Sequence, residues 1–386
     1  MKTTPTSFST EPALTDEGVL ASALDCLQNH VSIDMQGACS LKTLFMVLLR
    51  AASRADSIEH TVQRLTGVPT GNDLRYHLDK LNDMDSLETQ LNVALHHQLP
   101  SKVINHRHKL SIDLHLIPYY GHPSAQEAPY IYRSQAKAGT TSFFAYATIY
   151  LIRRHHRVTL AIHPVRNDET LVSSITHLLS RLTPLKVKIQ SLFLDRGFYS
   201  VPVIRWLKAL QIPFIMPAII RGKTGGTRQF CRGRTRYWTS YQMKSQEYGD
   251  VDFQLAVVCS YAKGARKKYG VEYLLYVVYR VKVALGGVRD QYRYRFGIET
   301  SYRIKNHGRI RTTTKNPVLR LLFVALAFIL VNIWIFLLWT KVSATRRGGR
   351  WVFDNLFPLK TLLEFISQGV ERLFPPKREI CLPANL

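Results

Sequence analysis

Acidic residues are scarce in this 386-residue chain: 27 Asp and Glu stand against 52 Lys and Arg, a net charge of +25. A balance that far from zero points to a polyanionic partner. Nucleic acid is the leading class, and an anionic membrane surface is its rival. Cysteine is sparse too. Cys26, Cys39, Cys231, Cys259 and Cys381 lie far apart and form no C-x-x-C pair, which argues against a zinc ribbon or a disulfide framework and fits a reducing cytoplasm. The first residues carry no charged leader followed by an apolar segment, so no secretion signal is expected. Long apolar runs are absent but for one. Residues 321–339, LLFVALAFILVNIWIFLLW, are apolar except for Asn332, and such a run is just long enough to span a bilayer. Basic residues flank both of its ends (Lys315 and Arg320, then Lys341, Arg346 and Arg347) and therefore set no orientation. A helix apolar all round also suits the centre of a large core.

Residues 1–104 read as an α-helical domain. Within it, SIEHTVQRLTGVPTGNDLRYHLDKL (57–81) has the pattern helix, turn, helix, with Gly67, Pro69 and Gly71 as punctuation and Leu74, Leu78 and Leu81 at helical spacing. Asn72, Arg75, Tyr76 and Lys80 are placed to face a groove of DNA; a helical hairpin without a ligand explains the same pattern.

From Lys109 the period changes. KLSIDLHLI alternates strictly, with Leu110, Ile112, Leu114 and Leu116 on one face and Ser111, Asp113 and His115 on the other, the signature of a half-buried strand. Strands are expected at 141–152 and 157–165, a helix at 168–182, a strand at 186–195, apolar on both faces towards its end and so central, a helix at 200–210 and a strand at 212–218. This order resembles the ribonuclease H-like architecture, an α/β fold with a mixed sheet. In that fold the first and fourth strands are neighbours, which brings Asp113 and Asp195 together. Residues 219–287 interrupt the scheme as a basic β-rich insertion suited to tracking phosphates. The catalytic domain is then 105–218 and 288–345, with 346–386 as a C-terminal tail holding an amphipathic stretch.

After the insertion, RDQYRYRFGIETSYRIKNHGR (289–309) places Tyr292, Arg295, Glu299 and Arg303 on one helical face, with Tyr302 adjacent. An i,i+4 ion pair of Glu299 with Arg295 or Arg303 accounts for part of this. Asp113 in a first strand, Asp195 in DRGFY after a fourth, and Glu299 within Tyr-x2-Arg-x3-Glu together resemble the DDE insertion-sequence transposases, specifically the subgroup with a β-rich insertion and a Tyr-x2-Arg-x3-Glu-x6-Lys signature. The resemblance covers roughly residues 105–340. One position departs from it: Asn306 stands where the signature has Lys, and Lys305 falls one residue early.

The resemblance implies that Asp113, Asp195 and Glu299 are catalytic and hold two Mg²⁺ or Mn²⁺ ions, Asp113 bridging both. It implies DNA contacts by Tyr292 and Arg295, with Lys305 or Arg303 in place of the signature's Lys; Arg196, directly after Asp195, and Tyr302 are further candidates for phosphate and base contacts, beside Arg75 of the N-terminal helices. It also implies a cut-and-paste transposase acting on DNA ends and target as a homodimer, without a membrane, in a prokaryotic cytoplasm at the nucleoid. The apolar run becomes a helix buried under the catalytic sheet. A decayed or domesticated copy that binds DNA without cutting, and a metal-dependent nuclease of the same fold, remain as alternatives.

Overall fold

A computed structural model of the chain describes residues 14–152, 157–261, 270–295 and 306–379. Five helices come first: α1 (Asp16–His30), α2 (Leu41–Ser53), α3 (Ile58–Arg64), α4 (Gly71–Leu78) and α5 (Met84–His97). A side-chain oxygen caps each of them at its start, and α4 has a full capping box between Thr70 and Asp73.

The sheet begins with β1 (Arg107–Pro118), β2 (Ile131–Lys137), β3 (Thr140–Leu151) and β4 (Thr159–Pro164). Next come α6 (Leu171–Ser180), β5 (Lys188–Leu194), α7 (Val201–Ala209) and β6 (Phe214–Pro217). The insertion supplies β7 (Tyr237–Met243), β8 (Val251–Tyr261) and β9 (Val271–Tyr279). β1 pairs antiparallel with β3 on one side and parallel with β5 on the other, and β5 pairs parallel with β6. β9, β8 and β7 then continue the sheet antiparallel from β6, giving nine strands among the described residues. The insertion is therefore an extension of the catalytic sheet. β9 ends at Tyr279, where Arg280 turns into the left-handed region (φ 52°).

Three further helices follow among the described residues: α8 (Val288–Arg293), α9 (Pro317–Thr340) and α10 (Leu359–Leu373), with a small hairpin, β10 (Ser343–Arg346) and β11 (Gly349–Val352), before the last. α9 contains the apolar run. Asn316 caps its start ahead of Pro317, and its side chains are buried almost throughout by the rest of the protein. The amphipathic tail helix α10 folds back on α1 and α2, with Glu371 2.9 Å from Arg50. N-terminal helices, sheet, α9 and α10 share one hydrophobic core.

The N-terminal layer has a specific task at the sheet's edge. β4 pairs with β3 on one side only, which leaves backbone groups on its other side needing partners. Side chains supply them. Asn92 of α5 donates to the Ile162 carbonyl and accepts from its amide, both at 2.9 Å, and His96, one turn on, donates to the Leu160 carbonyl at 2.6 Å. Asn332 of α9 accepts from the Thr159 amide (3.0 Å) and donates to the carbonyls of Thr159 (2.8 Å) and Leu95 (3.0 Å). The single polar residue of the apolar run thus ties strand, α5 and α9 together. Each buried backbone group left without a partner costs about 1–3 kcal/mol. Asn332→Leu, which orphans three such groups, is expected to lower unfolding stability by about 3 kcal/mol or more in urea denaturation; a loss below about 1 kcal/mol contradicts this role.

Candidate active site

Parallel pairing sets the site. β1 and β5 are in register through Ile112 and Leu194, and the next residue on each strand is Asp113 or Asp195. Asp195 directly follows the last residue of β5 and leads into a 3₁₀ turn, Arg196–Phe198. Two carboxylates are thereby brought side by side where the parallel pairing ends, Asp113 in the middle of β1 and Asp195 at the carboxyl end of β5, and open α/β sheets place their ligands outside such strand ends.

Arg295 lies between them. Its Nη2 is 2.9 Å from Asp113 Oδ2 and 3.6 Å from Asp195 Oδ1. The guanidinium and Asp113 are buried, whereas the Asp195 side chain is 46% exposed. Burial pushes the Asp113 carboxyl up to about 6, against the pull of Arg295 and with a smaller push from Asp195. The ionised acid is held at a cost to the fold.

α8 is aimed at this point by Tyr292. Its ring is buried against Phe193 and Tyr276, and its hydroxyl donates to the Leu194 carbonyl at 3.2 Å, one residue before Asp195. Burial raises the phenol's pKa, so it stays a donor. The Arg295 amide then closes on the Tyr292 carbonyl at 2.9 Å. Asp195, Arg196, Arg289, Tyr292, Arg293 and Arg295 line one cavity of about 730 Å³, together with Glu272 of β9. Arg289 is anchored by a 2.6 Å hydrogen bond to Ser260 of β8, so the insertion's strands help to build this cavity.

The sequence-predicted residues divide as follows. Asp113, Asp195, Arg196, Tyr292 and Arg295 come together here. Glu299, Tyr302, Arg303 and Lys305 lie outside the described residues. Arg75 sits apart on α4, its guanidinium bonded to Glu59 (2.9 Å) and Asn72 (2.7 Å). Tyr292 and Arg295, expected at DNA, are turned inward in this structure, because an aromatic platform and two carboxylates are better partners for them than water. Arg289, Arg293 and Glu272 escaped the sequence reading; the run RDQYRYR carried a signal for the two arginines, which stand one turn apart.

Residues 106–333, more than half of the chain, match the transposase DDE domain family. The chain belongs to that family. No curated protein matches it. Among solved structures it is similar to a piggyBac transposase synaptic complex with hairpin DNA determined by cryo-EM, at a TM-score of 0.54 and 13% identity, over 92% of this chain and 79% of that one. At such low identity the likeness concerns the fold. For this DDE transposase, the four carboxylate oxygens of Asp113 and Asp195 are hard donors that suit a hard divalent cation. The guanidinium between them occupies the position where positive charge is demanded, so the residues fit the divalent metal that the family generally uses.

The shifted Asp113 yields a signed prediction. Its folded-state pKa of about 6 exceeds the ordinary carboxyl value of 3.8, so the unfolded chain releases the proton first and stability from this group falls as pH rises. In EDTA, the stability of Asp113→Asn relative to wild type is expected to grow as pH rises from 3.8 through about 6, then to level off. A flat difference across that window in urea denaturation contradicts the burial argument.

Proposed function

We propose that the chain is a DNA transposase that binds terminal inverted repeats, cleaves DNA at the element's ends and joins the freed ends to target DNA by cut-and-paste. The reading is carried by one observation: Asp113 and Asp195, on adjacent parallel strands, share the Arg295 guanidinium at a cavity rimmed by Arg196, Arg289 and Arg293. The membership in the DDE family supports the same chemistry, and the net charge of +25 supports a DNA partner.

Asp113 and Asp195 would hold a pair of Mg²⁺ or Mn²⁺ ions, with Glu299 as the third ligand by resemblance. When bound, such ions make a water or a 3′-hydroxyl acidic enough to attack phosphorus and neutralise the departing oxygen. The rest falls to the chain's own groups. Arg196, exposed beside Asp195, and the arginines of α8 hold the phosphates flanking the cut. Tyr292 fixes the height of α8 against β5, so the cationic wall stays registered with the carboxylates. Tyr302, Arg303 and Lys305 would contact the transposon end, and Arg75 with its neighbours on α4 would hold DNA further out. Two ends must be cut and joined together, which calls for at least a homodimer in the synaptic complex, acting in a prokaryotic cytoplasm at the nucleoid.

Cleavage of labelled DNA carrying the element's own ends, with Mg²⁺, Mn²⁺ or EDTA, tests this against Asp195→Asn. That substitution removes a charge and nearly keeps the shape. Metal-dependent cutting that disappears in the variant while DNA binding persists is the expected result, with joined products separating a transposase from a nuclease of the same fold. Tight binding without cutting by wild type contradicts the catalytic reading.

A further inference from the structure

A second cluster of ligating side chains lies on the opposite face of the sheet. Residues paired directly across strands point to one face. Asp113, Thr148 and Ile162 share a face, and Leu114, Ala147 and His163 share the other. His163, at the end of β4, is buried there. Its Nδ1 lies 3.2 Å from both oxygens of Glu88 on α5, and its Nε2 lies 2.9 and 3.0 Å from the oxygens of Glu169, in the turn before α6. His177, exposed on α6, lays its ring against that of His163, with centroids 4.6 Å apart and planes inclined by 9°. One ligating atom from each of His163, Glu169 and His177 lies within 4.8 Å of the others.

We propose that His163, Glu169 and His177 form a binding site for a transition-metal dication of the Zn²⁺ type, separate from the Asp113–Asp195 site. Two imidazoles and a carboxylate, with a fourth position left to water, are a donor set suited to Zn²⁺ and poorly suited to Mg²⁺. The surroundings have the form that metal sites require, in which each ligand is oriented by a further bond. Glu88 accepts from the Nδ1 side of His163, which turns Nε2 towards Glu169. Glu169 in turn accepts from the Ser174 hydroxyl at 3.0 Å and from the Arg166 amide at 3.3 Å. Glu88 is steadied by Arg181, 3.4 Å away. An ion-pair network would need only His163 and the two acids. The second imidazole, at the solvent side of the same atoms, is what ion pairing leaves unexplained. Being exposed, His177 has room to turn a ring nitrogen inward and provides the path of entry. A bound ion would fasten α6 to β4, and through Glu88 to α5, on the side of the molecule away from the cut.

The test uses the full chain stripped with EDTA and titrated with Zn²⁺ alone by calorimetry, in wild type, His177→Ala, Glu169→Gln and the double variant Asp113→Asn/Asp195→Asn. His177 is exposed, so its removal leaves folding intact. The expected result is one Zn²⁺ per chain in the Asp113→Asn/Asp195→Asn background, weakened at least tenfold by His177→Ala and by Glu169→Gln. Excess Mg²⁺ should not displace it, and the ion should raise the thermal midpoint in wild type but not in His177→Ala. Zn²⁺ binding that vanishes with Asp113 and Asp195, or that is the same in His177→Ala as in wild type, overturns the proposal. Neither outcome touches the reading of the catalytic site, which rests on cleavage.

Discussion

The structure turns on the repulsion between two carboxylates. Parallel pairing of β1 with β5 leaves Asp113 and Asp195 side by side, one buried and one half open. Like charges so placed are unfavourable unless a cation joins them. In this chain the cation is Arg295, and the rest of the region serves to bring it there. Tyr292 wedges α8 between Phe193 and Tyr276, the wedge is hydrogen-bonded to the strand that ends just before Asp195, and β8 and β9 of the insertion provide the floor. The insertion thus has a structural duty besides its charge: without β9 beside β6, Tyr276 would not be present to receive Tyr292.

The same economy governs the far side of the sheet. Edge strand β4 is sealed by Asn92, His96 and Asn332 in place of a further strand. Helices that read in the sequence as a separate DNA-binding unit share one core with the catalytic sheet. A polar residue in the middle of an apolar helix is expensive unless fully bonded. Asn332 uses its amide oxygen and nitrogen on three backbone groups, which explains how α9 can be both the most apolar element of the chain and a specific one.

Much of this was legible in the sequence. Strict alternation gave β1, the doubly apolar run gave β5 as a central strand, and helical periodicity gave α6 and α7 to within a few residues. The meeting of Asp113 and Asp195 came from the resemblance of this element order to the ribonuclease H-like fold, in which their strands are neighbours. β2 was not legible, because it is an edge strand with Ile131 as its single buried residue and so carries no alternation. β7, inside the insertion, carries no clear strand signal of its own, because YWTSYQM packs partly buried aromatics among polar residues. The inward turn of Arg295 was hidden for another reason. Periodicity tells which residues share a helical face, whereas the direction of that face is set by partners distant in the chain, here Asp113 and Asp195. His163 sat within a predicted strand, but its partners Glu88 and Glu169 come from two other elements.

The central claim is that Asp113 and Asp195 form a site for divalent cations which Arg295 balances in their absence. Diffraction from crystals soaked in Mn²⁺, with anomalous differences recorded near the manganese edge, tests it most directly. The account predicts an anomalous peak within bonding distance of both carboxylates and a guanidinium drawn back from the position it holds here. Crystals soaked at a Mn²⁺ concentration that supports DNA cleavage, yet showing no peak between Asp113 and Asp195, would contradict it.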